Sequence, residues 1–198
     1  MVSRDIAPDE AQGMRLTHLG NDAVAIVVHE INPVNDISAS QIQAIYQGRI
    51  NHWHEISDAG REKIVRVGKW PDRSTRGLFD RFFGLTASTY PADTMLAGAN
   101  SAVILYVSID PQAIGYVSAG SAHRAKALGA PIRILSIDGH LPDPRSIANR
   151  TYPYTRPLNL LTPANPSLPI KKLLDFITHE TGQQAVEAEG FLRAKAQP

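Results

Sequence analysis

The residues best suited to chemistry lie in one short segment, residues 67–84, Val-Gly-Lys-Trp-Pro-Asp-Arg-Ser-Thr-Arg-Gly-Leu-Phe-Asp-Arg-Phe-Phe-Gly. The apolar residues 64–67 predict a β-strand, and the pattern after the polar turn predicts an amphipathic helix over 73–83. A helix start presents unpaired backbone N–H groups and the positive end of the dipole, which together attract anions. Three cations and two hydroxyls surround this start: Lys69, Arg73, Arg76, Ser74 and Thr75. The segment therefore predicts an anion site.

A second interpretation of the same segment needs no ligand. Asp72 could cap an ordinary helix N-terminus, with the basic residues simply solvated. Arg76 could equally be a helix residue engaged in a salt bridge. Strand–turn–helix units are common, so this segment by itself leaves both interpretations open.

Length and composition indicate an ordinary globular protein. A chain of 198 residues with 43% hydrophobic and 20% charged residues can form one domain or two small lobes. The net charge of +1 argues against a nucleic-acid-binding surface, which usually carries a strong positive excess. The absence of cysteine excludes disulfides, thiol catalysis and Cys-based metal sites. No cofactor is predicted.

The apolar patterns predict strands that alternate with helices. Strands are expected at residues 23–29, 64–67, 113–118, 132–137 and 156–162. Helices are expected at residues 37–48, 73–83, 101–109, 167–179 and 181–190. Residues 138–155, rich in Pro, Asp and Asn, are expected to form a surface connection. The alternation predicts the α/β class with a largely parallel sheet.

Local signals define several helix ends. Ser38 and Gln41 fit a capping box at the first helix. Gly48 and Gly84 fit the position that closes a helix, and Asn100 fits an N-cap. The helix over 73–83 is expected to bury one apolar stripe, formed by Leu78, Phe79, Phe82 and Phe83.

Four separated segments together resemble the substrate-binding proteins of phosphate ABC transporters. Residues 37–53, ending in Tyr-Gln-Gly-Arg-Ile-Asn-His-Trp, resemble the family's helix followed by F-x-G-K-I-x-N-W, and residues 67–84 resemble G-R-x-x-x-S-G-T-R-x-x-F. Residues 110–117, Asp-Pro-Gln-Ala-Ile-Gly-Tyr-Val, resemble P-G-A-I-G-Y-V. Residues 152–158, Tyr-Pro-Tyr-Thr-Arg-Pro-Leu, and the closing residues 174–191 resemble Y-P-x-x-R-P-L and F-L-x-x-x-G-Q with a final G-F. Each segment is weak alone, but their order and spacing cover nearly the whole chain.

The resemblance implies a type II periplasmic-binding-protein-like fold, with two α/β lobes joined by two crossing strands and a ligand in the cleft. Residues 23–29 and 156–162 are then the expected crossing strands. Residues 1–29 and 155–198 would form a partial first lobe with the hinge strands, and residues 30–154 the second lobe. The first lobe is expected to be incomplete.

The resemblance also implies an oxyanion site whose residues come from both lobes. The second lobe would supply Lys69, Arg73, Ser74, Thr75 and Arg76. The first lobe would supply Ser3 and Arg4, which match the family's Ser-Arg pair. His52, His54 and Glu55 are not expected to bind a metal, because the family has an ordinary loop there and no further ligand cluster is evident.

Two features depart from the family pattern. The strand and phosphate loop that precede the family's Ser-Arg pair are missing, so the chain is expected to be a truncated or a naturally short form. At the motif, Arg73-Ser74-Thr75 stands where the family has Ser-Gly-Thr, and Lys69 stands at the family's Arg. Ser74 replaces a glycine that suits close backbone approach, so selectivity for phosphate stays open.

These observations predict a non-enzymatic, extracytoplasmic or periplasmic solute-binding protein for phosphate or a similar tetrahedral oxyanion. It would deliver the anion to the membrane subunits of an ABC transporter, with no nucleic acid as partner and no export signal within this chain. Its uncovered first-lobe sheet predicts a homo-oligomer. The alternative is a binding-protein-like interaction or regulatory module that no longer binds the anion.

Overall fold

The computed structural model describes residues 6–7, 9–57, 61–188 and 191–193. The chain divides into two compact units. Unit 1 consists of Met1–Ala23 and Asp143–Pro198, and unit 2 consists of Val24–Pro142.

The elements follow one another along the described chain. The strands are β1 (Met14–His29), β2 (Asp36–Ile37), β3 (Val65–Lys69), β4 (Met95–Ala97), β5 (Ala113–Ser118), β6 (Ile132–Ile134), β7 (Ser136–Ile137), β8 (Thr155–Pro163) and β9 (Leu192–Arg193). The helices are α1 (Ala39–Tyr46), α2 (Ser74–Phe83), α3 (Asn100–Ile109), α4 (Ala119–Ala127), α5 (Pro144–Ala148), α6 (Leu168–Thr178) and α7 (Glu180–Ala188). Short 3₁₀ helices lie at Trp53–Glu55 and Ala87–Thr89.

The main sheet of unit 2 is mixed, with the strand order β4-β3-β5-β1-β6. β3 pairs in parallel with β4 and β5, whereas β1 pairs antiparallel with β5 and β6. The prediction of a largely parallel sheet is therefore wrong. The antiparallel pairing arises because β1 continues into this sheet directly from unit 1. No helical crossover connects it to a neighbouring strand, so nothing requires it to run parallel.

The core of unit 2 forms around the buried half of β1. Residues 24–28 of β1 are fully buried, which explains why this run is continuously apolar rather than alternating. Of the predicted stripe on α2, Leu78, Phe79 and Phe83 are buried and Phe82 is half-buried.

Gly115 marks the tightest helix-on-sheet contact in unit 2. A Cβ placed on Gly115 would lie 2.6 Å from Val103 Cγ1 and 3.3 Å from Val107 Cγ2 of α3. We expect Gly115→Ala to lower the free energy of unfolding by about 1–3 kcal/mol, because overpacking forces α3 away from β5. Gly77→Ala is the matched control, since a Cβ on Gly77 would meet nothing within 4 Å and should raise the stability of α2. Urea unfolding of both variants checks this prediction.

Unit 1 is built on the first half of β1. Residues 14–23 pair antiparallel with β8, and β9 pairs with Gly20 and Asn21. Leu158 and Leu174 contribute to its buried apolar surface. Asp22 lies within this sheet, 3% exposed, and its Oδ2 accepts hydrogen bonds from Arg156 Nε at 3.1 Å and Nη2 at 2.8 Å.

The chain passes between the two units at residues 23–24 and 142–143. The lobe bounds implied by the resemblance, 29–30 and 154–155, stay predictions. Residues 24–29 belong to unit 2 because they pair with β5 and β6. Residues 143–154 belong to unit 1, where α5 contacts β9. Residues 156–162, the second expected crossing strand, form part of β8 in unit 1.

The structure confirms some of the predicted helix ends and contradicts others. Ser38 and Gln41 form the predicted capping box, and Gly48 and Gly84 have φ of 73° and 61° as helix-closing residues. Asn100 is not the N-cap of α3; Ala99 holds that position. Residues 138–155 are not merely a surface connection, because they include α5, which Asp143 caps, and the buried Ile147.

Candidate anion site

The candidate site lies at the carboxyl edge of the three parallel strands in unit 2. β3, β4 and β5 end on this same edge, and each is followed within a few residues by the start of a helix, α2, α3 and α4 respectively. Three helix N-termini therefore meet at one edge of one sheet. Because each N-terminus carries unpaired N–H groups and positive partial charge, this edge favours an anion, and open α/β sheets bind ligands at such edges.

The turn between β3 and α2 is held by backbone hydrogen bonds. Trp70 N–H donates to Ala97 O of β4 at 3.2 Å, and Arg73 N–H donates to Trp70 O at 3.1 Å. The N-cap of α2 is Arg73, whose side chain makes no capping hydrogen bond in the described structure. The interpretation of Asp72 as the cap is therefore wrong. The carboxylate of Asp72 instead lies 3.5 Å from Arg73 Nε.

The structure brings four of the predicted ligands together around this turn. Lys69 is the last residue of β3 and is only 2% exposed. Ser74 and Thr75 are the first two residues of α2; Ser74 is exposed and Thr75 is nearly buried. Arg73 is half-exposed, and its Nη2 lies 3.7 Å from the place where Gly98 would carry a Cβ.

The predicted first-lobe ligands lie outside the described residues. They are Ser3 and Arg4.

Arg76 differs from the other predicted ligands because protein groups surround its guanidinium. Its Nε lies 2.9 and 2.8 Å from the two carboxylate oxygens of Asp80, and its Nη1 donates to Lys69 O at 2.9 Å. The ring of Tyr90 lies 3.5 Å beneath the guanidinium carbon. Burial lowers the pKa of Arg76, but the hydrogen bond to Asp80 and the nearby tyrosines outweigh it and raise the pKa above its usual value. This geometry favours the salt-bridge interpretation of Arg76.

A cluster of aromatic residues supports the site from within unit 2. Tyr116 is fully buried, stacks on Phe79 at 3.7 Å, and accepts a hydrogen bond from Lys69 N–H at 3.1 Å. Tyr46 packs edge-on against both rings, and its hydroxyl donates to Val67 O of β3 at 3.2 Å. Burial raises the pKa of Tyr116 to about 12 and also raises the pKa of Tyr46.

These buried phenols predict a loss of stability in alkali. An unfolded tyrosine ionises near pH 10, whereas the folded Tyr46 and Tyr116 keep their protons to higher pH. The unfolded state therefore binds fewer protons than the folded state, so stability is complete below pH 10 and falls as the pH rises above it. We expect each group to remove up to about 1.4 kcal/mol per pH unit in this range. Urea unfolding between pH 9 and 11.5 measures the slope, and a flat profile would contradict the assignment.

Sequence reasoning missed a polar cluster at the same edge of the sheet. Asn100 Nδ2 donates to Ser118 Oγ at 2.8 Å and to Ser121 Oγ at 2.9 Å, and Ser118 donates to Ser121 at 2.7 Å. These contacts tie the starts of α3 and α4 to the end of β5. The signal was available, because Ser118 ends the predicted strand over 113–118 and Ser121 follows three residues later.

Glu55 closes the loop that carries His52 and His54. Glu55 Oε1 accepts hydrogen bonds from the backbone N–H groups of Asn51 and His52, both at 2.8 Å, which lowers the pKa of Glu55. Within the described ranges, no three His, Cys, Asp or Glu side chains are placed to hold a metal ion. In the same part of the chain, no helix combines the length and apolarity needed to cross a membrane.

A separate cavity of about 300 Å³ lies elsewhere in unit 2. Its lining includes Ile31, Pro33, Trp53 and Pro111, with Glu62 as the charged member among the described residues. An apolar lining with a carboxylate does not suit an anion, so this cavity is not the candidate site.

Comparison with known proteins connects this chain to a family. Residues 1–181 match the family model described as PBP superfamily domain. The phosphate-binding protein PstS of Borreliella burgdorferi is 27% identical over 98% of this chain and 71% of its own length, and that of Bacillus subtilis is 26% identical over 92% and 60%. An ABC-type phosphate transport receptor from Vibrio cholerae, 26% identical, superimposes with a TM-score of 0.76 over 96% of this chain and 77% of its own. These matches confirm the resemblance and the mixed α/β binding-protein fold that it implied. The chain belongs to the PBP superfamily domain family.

Proposed function

We propose that this chain is the substrate-binding component of an ABC transport system for phosphate or a similar tetrahedral oxyanion, acting outside the cytoplasm and without catalysis. The observation that carries the proposal is the meeting of three helix N-termini with the buried Lys69 at one edge of unit 2. The relatives named as phosphate-binding proteins and as a phosphate transport receptor support phosphate as the anion. The membrane subunits of the transporter are the proposed partner.

The proposed site would replace the water shell of the anion with fixed protein donors. Thr75 and Ser74 would donate through hydroxyl and backbone N–H groups at the first turn of α2, where the dipole also favours negative charge. Lys69 would compensate charge from the end of β3, and Arg73 would add a second cation at the rim. Ser3 and Arg4 stay predicted ligands on the family pattern alone.

One observation favours the alternative of an interaction module without a ligand. Arg73-Ser74 stands where the family has Ser-Gly, so Ser74 adds a side chain at a place suited to close backbone approach. In this case no oxyanion would bind, although the fold would be unchanged.

We also propose that unit 1 mediates self-association. Met14 and Leu16, two residues apart on the same face of β1, are 40% and 46% exposed. An exposed apolar strand face favours contact with a second copy. A strictly monomeric species in analytical ultracentrifugation would contradict this proposal.

Thermal unfolding with millimolar phosphate, sulfate or molybdate tests the proposed function. An anion present at a hundredfold its Kd should add about 2.7 kcal/mol, which shifts the Tm by about 5–10 °C. We expect Thr75→Ala to abolish most of the shift, and Thr86→Ala, an exposed threonine elsewhere in unit 2, to preserve it. If no anion shifts the Tm of the unmodified chain, the interaction module is the better account.

A further inference from the structure

We propose that Arg76 and Asp80 are positioning residues of the anion site rather than ligands, and that they act by fixing Lys69 against the first turn of α2. This inference rests on the proposed function. It assigns a role to a charged pair that the family pattern of the turn does not explain.

The guanidinium of Arg76 is committed to protein groups on several sides. Its side chain is 4% exposed, its Nε faces the carboxylate of Asp80, and the ring of Tyr90 covers one face. The Tyr90 hydroxyl also donates to Asp80 Oδ1 at 2.5 Å, which holds the carboxylate in place. A guanidinium held in this way is rigid, because its planar geometry fixes the direction of each donor. Arg76, Asp80 and Tyr90 are called the Arg76 cluster below.

The Arg76 cluster contacts the anion site through the backbone of Lys69. The Lys69 carbonyl accepts from Arg76 Nη1 at 2.9 Å, and the Lys69 N–H donates to Tyr116 Oη at 3.1 Å. Side chains from α2 and β5 therefore hold both backbone polar groups of Lys69. Since Arg76 belongs to the first turn of α2, the pair connects the end of β3 directly to the helix start that would carry Ser74 and Thr75.

This connection has a functional consequence. An anion site binds tightly when its donors are already in place, because no free energy is then lost in ordering them. If the contacts of the Arg76 cluster are weakened, the distance between the Lys69 charge and the α2 amides varies. The affinity for the anion then falls, although neither Lys69 nor the α2 residues have been altered.

The decisive variant is Asp80→Asn, because the two roles of Arg76 predict opposite results. If Arg76 positions Lys69, loss of the Asp80 carboxylate removes the charge that holds the Arg76 guanidinium in place. We then expect about tenfold weaker phosphate binding by calorimetry. If Arg76 is a ligand, the same variant removes a competing negative charge and leaves affinity unchanged or increased. Unchanged or tighter binding by Asp80→Asn would overturn the proposal.

Arg76→Lys with Arg81→Lys as control gives a second and independent test. Both changes conserve charge on α2, but Arg81 is exposed and lies in the last turn. In the anion-free protein, we expect lower amide ¹⁵N order parameters at Lys69, Trp70, Asp72 and Arg73 in Arg76→Lys and unchanged values in Arg81→Lys. Unchanged order parameters in Arg76→Lys would overturn the proposal. Since this readout needs no anion, it stands even if the unmodified chain binds no phosphate, a result that would instead refute the proposed function.

Discussion

Replacement of Lys69 by methionine should weaken phosphate binding at least about hundredfold. Lys69 is 2% exposed at the end of β3, so its charge acts through a medium of low dielectric, where a cation and an anion a few ångströms apart interact strongly. Methionine fills nearly the same volume without the charge. Isothermal titration calorimetry with phosphate measures the effect.

Two controls make this result specific to the charge of Lys69. Lys69→Arg places at this position the residue that the family pattern shows there, and we expect it to retain binding. Urea unfolding of Lys69→Met in the absence of anion shows whether the fold is preserved. Phosphate affinity within threefold of the unmodified chain in a folded Lys69→Met variant would contradict a role for Lys69 as a ligand.

Replacement of Arg156 by methionine should lower the free energy of unfolding by about 3–5 kcal/mol. Asp22 is 3% exposed, and the Arg156 guanidinium donates to its Oδ2 through two nitrogens. Removal of the cation leaves the carboxylate buried in the sheet of unit 1 without that compensation, and a buried charge is costly.

The matched variant combines Arg156→Met with Asp22→Asn. A neutral amide is cheaper to bury than a carboxylate, so we expect the double variant to recover at least half of the loss. Urea unfolding of the single and double variants measures the coupling. Additive losses in the double variant would show that the two side chains do not stabilise unit 1 as a pair.

Local chemistry made much of the fold predictable. The capping box of Ser38 and Gln41 and the helix-closing Gly84 depend on neighbours a few residues away, and both occur as expected. The strand over 113–118 was predictable because its residues are mostly apolar, and in the structure all six are buried. The order of four motifs then connected these elements to a family.

The missed features depend on contacts between distant parts of the chain. The direction of β1 in the sheet of unit 2 follows from its passage out of unit 1, which no local pattern reveals. The contacts that hold Lys69 include the hydrogen bond from Tyr90 to Asp80 and the hydrogen bond from Lys69 N–H to Tyr116, which lies 47 residues later in the chain. The sequence leaves Arg76 open between a ligand and a salt-bridge residue, and only the structure shows that its Nε faces Asp80 and its Nη1 donates to Lys69 O.

Titration of the ¹⁵N-labelled chain with phosphate tests the central claim most directly. We expect the backbone amide signals of Lys69 and of Ser74 and Thr75 at the start of α2 to shift most and to saturate together. The exposed N-terminal turn of α6 in unit 1, at Leu168, should be unaffected and serves as the internal reference. Saturable shifts that are absent from residues 69–76 and concentrated elsewhere would contradict the assignment of the anion site to the β3–α2 turn.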